Sequence, residues 1–222
     1  MHISTSILQQ YPLLDVLSED ELRGILPLVS TQYISKDAHL YLEDGCSDKL
    51  YFVVEGWFKA EKVSADGRQK TLRFIGPGEL INELSVFSNI ENAVSVIAMQ
   101  EGWLFYLLQS DVEQWLEYHP KFSRAVIARL ANRIQHLLDQ VEDLSLYTVD
   151  ARLARFLLAN AEEDVWDRHA WITQTEIAAR LGTVLDVVNR SLQKLVRDEV
   201  IEIRREKITI IDRQQLEKIA RG

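Results

Sequence analysis

The chain has 222 residues, 47% of them hydrophobic and 27% charged, with a formal net charge of −9 at pH 7. That length fits two domains, and the composition is that of a globular protein with enough apolar residues to bury a core, which excludes extended disorder. No run of about 18 apolar residues is present and residues 1–10 lack a basic flank leading into an apolar stretch, so neither a membrane helix nor a secretory signal is expected, and the cytoplasm is the expected location.

The acidity is uneven. Residues 1–150 carry 12 Lys+Arg against 22 Asp+Glu, whereas residues 151–222 carry 13 against 12. An acidic first module is thus joined to a near-neutral second one that can present a basic face locally.

In chain order, residues 50–54, 57–63, 71–75, 93–99 and 103–107 are short β-rich runs, separated by Gly45, Gly56, Asp66-Gly67 and Gly76-Pro77-Gly78. This predicts a small β-barrel or roll. Two hairpins are expected within it, one turning at Glu55-Gly56 and one at Ala65-Asp66-Gly67-Arg68. Cys46 is the single cysteine, so an intramolecular disulfide, a Cys-based zinc site and a four-thiolate iron–sulfur cluster are excluded. No metal site is expected.

From 121 to 147 the period changes. Ile127, Leu130, Ile134, Leu137, Val141 and Leu144 recur at alternating spacings of three and four in a stretch free of Gly and Pro, the a/d seam of a paired helix. A homodimer interface is the expected use of that seam. Thr148-Val149-Asp150 interrupts it, with Asp150 as the expected N-cap of a helix over 151–161.

Thr173-Gln174-Thr175-Glu176 has the form of a capping box opening a helix, Gly182 supplies a sharp turn, and Thr183-x-x-Asp186 offers a second N-cap. A second helix is expected over 184–198, with Val184, Val188, Leu192 and Leu195 on one face and Asp186, Asn189, Arg190 and Gln193 on the other. Two strands, 201–204 and 208–211, flank a turn at Arg205-Glu206-Lys207. This is a winged helix-turn-helix. Arg190 suits a guanine edge, Asp186 a cytosine amino group and Asn189 an adenine, while Arg204, Arg205 and Lys207 suit phosphates. Thr173, Gln174, Thr175, Thr183 and Leu185 complete the expected DNA-facing set.

At this point the chain resembles the Crp/Fnr family of bacterial transcription regulators. The residues that carry the likeness are "EDGCSDKLYFVVEG" (43–56), "GRQKTLRFIGPGELINELSVF" (67–87), "TVDARLARFLL" (148–158) and "ITQTEIAARLGTVLDVVNRSLQKL" (172–195). The resemblance implies an α+β fold of three parts: a cyclic-nucleotide-binding-like β-roll of jelly-roll type (1–120), a long dimerisation helix (121–147) and a winged helix-turn-helix (148–222). It also implies double-stranded DNA and RNA polymerase as partners. Members that bind cyclic AMP carry Gly-Glu-Leu followed by Arg and Ser or Thr; here Asn82-Glu83-Leu84 and Asn92-Ala93 occupy those places. Without the arginine, a cyclic phosphate loses its charge-assisted bidentate partner, which argues against cyclic AMP. A haem would rest on isolated histidines, His39, His119 or His136, which read as surface residues. The small-molecule effector, if one exists, stays open. An apolar Leu185 at the start of the reading helix is similar to the Fnr-type pattern and implies a half-site like TTGAT rather than TGTGA.

Two other classes compete with this reading. A ligand-sensing module whose C-terminal helices bind protein instead of DNA fits the same pattern. An enzyme does not, because no Walker motif, nucleophile elbow, metal-spaced His cluster or dinucleotide fingerprint occurs, and Glu83 is a lone acid.

Overall fold

The computed structural model describes every residue except 65, 66, 68, 170 and 206, and the chain divides into two units, Met1–Ile134 and Gln135–Gly222. In the first unit the strands are β1 (Ser30–Ile34), β2 (His39–Tyr41), β3 (Lys49–Val53), β4 (Phe58–Val63), β5 (Gln69–Ile75), β6 (Leu80–Ile81), β7 (Ser95–Ala98) and β8 (Gly102–Leu108). Among the described residues they form two four-stranded antiparallel sheets, ordered β1-β8-β3-β6 and β2-β7-β4-β5. This is the expected jelly-roll-like β-roll.

Strand β3 shows why its sequence lacks a polar alternation. Tyr51 and Val53 face the interior of the roll with Phe58, Ile75, Val96 and Leu104, while Leu50 and Phe52 face a second core. A strand buried on both faces reads as a continuous apolar run. The second core is closed by helices α1 (Thr5–Leu8), α2 (Glu19–Ile25), α4 (Gln109–Tyr118) and the start of α5 (Pro120–Leu146); the short α3 (Glu83–Ser88) lies between β6 and β7. Tyr11 anchors this layer, edge-on to Phe52 and Phe105 at 5.2 and 5.1 Å, its hydroxyl donating to the Val53 carbonyl at 2.7 Å. Burial pushes its pKa up to about 12.

One expected hairpin is absent. Strand β3 pairs with β6 and β8, whereas β4 pairs with β5 and β7, so Glu55-Gly56 carries the chain from one sheet to the other. The crossing is tight: Gly56 has φ 89°, and a Cβ on Gly102 would lie 2.1 Å from the Glu55 carbonyl oxygen. Gly56 therefore serves a backbone crossover, not a turn. The other hairpin is present in its flanks, β4 against β5 from Phe58↔Ile75 to Val63↔Gln69; its expected turn residues Ala65, Asp66 and Arg68 lie outside the described residues.

Helix α5 has 27 residues, about 40 Å at 1.5 Å per residue. Ile127, Ile134, Leu137, Val141 and Leu144 are exposed along it, by 43% to 67%. Leu130 departs from the expected seam because it is half-buried and packs on the core of the first unit.

The second unit contains the last part of α5, then α6 (Val149–Asn160), β9 (Val165–Asp167), α7 (Gln174–Leu181), α8 (Leu185–Arg197), β10 (Ile201–Arg204), β11 (Lys207–Ile210) and α9 (Arg213–Ala220). Asp150 is not the cap of α6: Thr148 is, its Oγ1 accepting from Ala151 N at 3.3 Å. The Asp150 carboxylate is drawn away by Ser191 and Lys194 on α8, at 2.5 and 2.7 Å. Among the described residues, no helix is long and apolar enough to cross a membrane.

Candidate nucleic-acid interface

Thr173 caps α7 as expected, its Oγ1 accepting from Glu176 N at 3.2 Å. Gly182 ends the helix in the left-handed region at φ 66°, a conformation glycine adopts without strain. Thr183 does not cap the next helix. Its N–H donates to Ala178 O at 3.0 Å and closes α7, and α8 begins one residue later with Val184 in the cap position and no side-chain bond there. Val184 is accordingly exposed, not part of the inner face.

Helix α8 then has two faces. Val188, Ser191, Leu192 and Leu195 are buried, while Leu185, Asp186, Arg190, Gln193 and Arg197 are exposed. Arg190 Nε reaches back to Asp186 O at 3.4 Å, a long contact that a base edge can displace. Asn189 is half-buried, and its Oδ1 is covered and meets no donor among the described residues. Its amide must turn outward to meet a base. With Gln174, Leu192, Gln193, Val196, Arg197 and Ile203 it lines an open groove of about 380 Å3. Gln193 and Arg197 extend the Asp186–Arg190 row by one and two further turns, a continuation legible in the i, i+7, i+11 spacing although Arg197 was absent from the expected set.

The wing pairs β10 with β11, Arg204 opposite Lys207, and β9 adds a third strand with Asp167 opposite Lys207. Arg205 sits at the tip with φ 52°; Glu206 lies outside the described residues. Two of the three expected phosphate ligands hold acidic neighbours: Arg204 Nη2 is 2.7 Å from Glu202 Oε1 and Lys207 Nζ 3.4 Å from Asp167 Oδ1. Both pairs are solvent-exposed and therefore weak enough to be exchanged for phosphate. The Arg168 guanidinium donates to the carbonyl of Ile172, which precedes the α7 cap, and to that of Arg205 at 3.5 Å. Thr173, Gln174 and Thr175 are exposed at the N-terminus of α7, where backbone N–H groups favour an anion.

The expected effector residues in the roll are engaged with the protein itself. Asn82, buried and left-handed at φ 75°, donates through Nδ2 to Ser47 O and Lys49 O at 2.9 and 3.1 Å. Asn92, 2% exposed, donates to Leu42 O at 3.0 Å. Glu83 accepts two bonds from Arg129, at 3.0 and 2.7 Å, and one from Arg73 at 3.3 Å. Leu84 points outward and Ala93 is half-buried. Of the three histidines considered as haem ligands, His39 and His136 are exposed, and His119 stacks on Trp115 with Nδ1 3.2 Å from Glu21. Among the described residues, no group of three or more His, Cys, Asp or Glu is placed to hold a metal.

Comparison with known proteins agrees with this geometry. Residues 31–119 match the cyclic nucleotide-binding domain, and residues 151–219 match the Crp-like helix-turn-helix domain. The chain is 25% identical over 188 residues to a CRP-like cAMP-activated global transcriptional regulator of Mycobacterium tuberculosis, covering 82% of this chain and 84% of that one. It is also 25% identical over 211 residues to the cyclic AMP receptor protein of Thermus thermophilus, covering 95% and 97%. A crystal structure of a Crp/Fnr family protein from Eubacterium rectale shares the fold, with TM-score 0.76 and 21% identity over 96% of this chain and all of that one. Taken with the roll, the long helix and the wing, these matches establish that the chain belongs to the Crp/Fnr family of DNA-binding transcription regulators.

Proposed function

We propose that the protein binds a palindromic DNA site as a homodimer, and that it does so without control by cyclic AMP. The observation that carries the first part is the polarity of α8, which buries Val188, Leu192 and Leu195 and leaves Leu185, Asp186 and Arg190 exposed beside a basic wing. A helix with that division can enter a major groove. Arg190 reads a guanine, Leu185 packs near a thymine methyl, Asp186 and Asn189 take neighbouring bases, and Arg204, Arg205 and Lys207 hold phosphates together with Thr173, Gln174 and Thr175.

Dimerisation through residues 121–147 is supported by the exposed stripe of Ile127, Ile134, Leu137, Val141 and Leu144, which is longer than a soluble monomer ordinarily leaves to water. A two-fold axis along that stripe gives two reading helices for two half-sites. In this division of labour, residues 1–120 form the roll and 148–222 the DNA module. RNA polymerase is the partner expected of such a regulator at a promoter, and a DNA partner places it in the cytoplasm.

The two relatives above are named for cyclic AMP, but the residues that would take a cyclic phosphate differ here. Asn92 stands where an arginine is expected and is bonded to Leu42 O, and Glu83 is held by two guanidiniums. The site has no unengaged cation for the phosphate among these residues, which supports control by another effector or by none.

Selection of binding sites from a random duplex pool tests the DNA reading. Palindromes with TTGAT-like half-sites are the expected product; TGTGA half-sites with a guanine preference opposite Leu185 overturn the specificity, and no enrichment at all favours a protein-binding module. For the dimer, Ile134→Glu sets like charges against each other in the seam. Sedimentation that still gives a dimer at micromolar concentration rejects the interface.

A further inference from the structure

We infer that Asp150 is a positioning residue for base readout: it clasps the flank of α8 and fixes the rotation of the reading helix without touching DNA. The inference rests on the DNA reading above and assigns that site its orientation control.

Asp150 sits in the first turn of α6, where a carboxylate is favoured by the helix dipole, yet Thr148 has taken the capping role. Its two oxygens are committed across the fold. Oδ1 accepts from Ser191 Oγ at 2.5 Å and Oδ2 from Lys194 Nζ at 2.7 Å. Ser191 is buried and Lys194 is half-exposed. The two donors are one turn apart on α8, so the clasp grips a line parallel to the helix axis and opposes rotation about it.

That line has a defined place on the helix. At 100° per residue, Ser191 and Lys194 lie between the buried row of Val188, Leu192 and Leu195 and the reading row of Asp186, Arg190, Gln193 and Arg197. Arg190 directly precedes Ser191 in sequence. At a helix radius of about 5–6 Å with side chains, a rotation of roughly 20° moves a side-chain tip by about 2 Å. A bidentate contact to guanine does not survive such a shift, because both N–H groups must stay within about 0.3 Å of their ideal distance.

Helix α6 is tied at a second point, near its middle. Arg155 Nε lies 2.9 Å from Asp143 Oδ1, close enough for an ion pair though not aligned as a hydrogen bond, and its guanidinium covers the Tyr147 ring at 4.4 Å. Helix α6 thereby links the last turns of α5 to the flank of α8 through two charged contacts. A carboxylate 40 residues from Arg190 sets where Arg190 points.

The test uses full-length protein and two duplexes, the selected palindrome and a random sequence. Asp150→Asn and Lys194→Met are each expected to lower the ratio of specific to random affinity about tenfold. The affinity for random duplex and its salt dependence should stay unchanged, and the double variant should be no worse than either single one, as expected for partners in one contact. A role in stability alone reduces the active fraction and scales both duplexes equally, leaving the ratio fixed; that result overturns the proposal. So does a salt slope that falls by about one in Lys194→Met, which would make Lys194 a direct phosphate ligand. If Asp150→Asn does not fold, Ser191→Ala replaces it, with the same reduced ratio expected and an unchanged ratio rejecting the clasp. If the wild-type protein selects no DNA sequence, the DNA reading fails and amide hydrogen exchange judges the clasp alone: Asp150→Asn should speed exchange in 191–197 and not in 174–181, and equal rates reject it.

Discussion

The roll and the winged helix use polar side chains in opposite ways. In the roll, Glu83, Asn82 and Asn92 are turned inward and engaged by Arg73, Arg129 and main-chain carbonyls. In the winged helix, Asp186, Arg190, Gln193, Arg204 and Arg205 are exposed, and the acidic partners of Arg204 and Lys207 are held at a screened surface. The first arrangement contributes to stability; the second contributes little to stability and leaves donors and acceptors exposed to solvent. In a roll that matches the cyclic nucleotide-binding domain, the Asn82 and Asn92 amide nitrogens and the Glu83 carboxylate thus bond within the fold.

If that contrast holds, truncation on the two sides should split cleanly between stability and binding. Glu83→Ala leaves the Arg129 guanidinium without its carboxylate, while Arg73 retains the Leu80 carbonyl at 2.5 Å and Glu79 at 3.7 Å; it should destabilise the first unit by about 3 kcal/mol, measured by urea unfolding, and a loss below about 0.5 kcal/mol would erase the difference between the regions. Calorimetry of the intact protein with cyclic AMP should show no binding heat. Arg190→Ala should remove about 1–3 kcal/mol of binding to the selected palindrome and relax preference at one base, with the unfolding midpoint unmoved. Thr173→Ala sharpens the boundary between the two behaviours, because the residue both caps α7 and belongs to the proposed phosphate-binding set: about 1 kcal/mol of stability is expected to go with the cap, read from thermal unfolding.

The smallest effect is one of pH. Bonds from the Ser18 backbone and hydroxyl, with His119 beside it, lower the Glu21 carboxyl from 4.5 to about 2. A depressed carboxylate stabilises the folded state fully above its unfolded pKa and loses that contribution as pH falls through the folded one. The Glu21 contribution should therefore be complete above pH 4.5 and gone near pH 2. Comparison of acid unfolding in wild type and Glu21→Gln checks this; identical curves would remove Glu21 from the account.

Features with local causes were legible in the sequence. The Thr173 cap, the Gly182 turn, the wing strands and the stripe of α5 each follow from residues within one or two turns of each other. Apart from Thr183, whose N–H closes α7 on Ala178 O instead of its side chain capping α8, most misses came from distant partners. Asp150 looks like a cap until Lys194, 44 residues later, draws its carboxylate away and leaves the role to Thr148. Gly56 looks like a hairpin turn because nothing nearby reveals that β3 and β4 belong to different sheets. Leu130 fits the seam by spacing, but the first unit packs against it. The helical layer before β1 went unread, although Ser18-x-x-Glu21 forms a complete capping box there and offered a local signal. For the reading helix the two faces were legible apart from Val184, which is exposed, and the covered state of the Asn189 Oδ1 was not.

The pairing of β1 with β8 sets a timetable for synthesis. Ser30 meets Tyr106 and Ile34 meets Gly102, so the earliest strand has no partner until 68 further residues, from Ile34 to Gly102, have left the ribosome. Strand β3 gains one partner sooner, since Tyr51 meets Ile81, but its other edge waits for Leu107 and Phe105. At roughly 5–20 residues per second, the nascent chain carries an unpaired β1 and one open edge of the apolar β3 for several seconds. In the wing, β10 and β11 pair across a tight turn as soon as they emerge, and only β9 waits for a distant partner, Asp167 meeting Lys207.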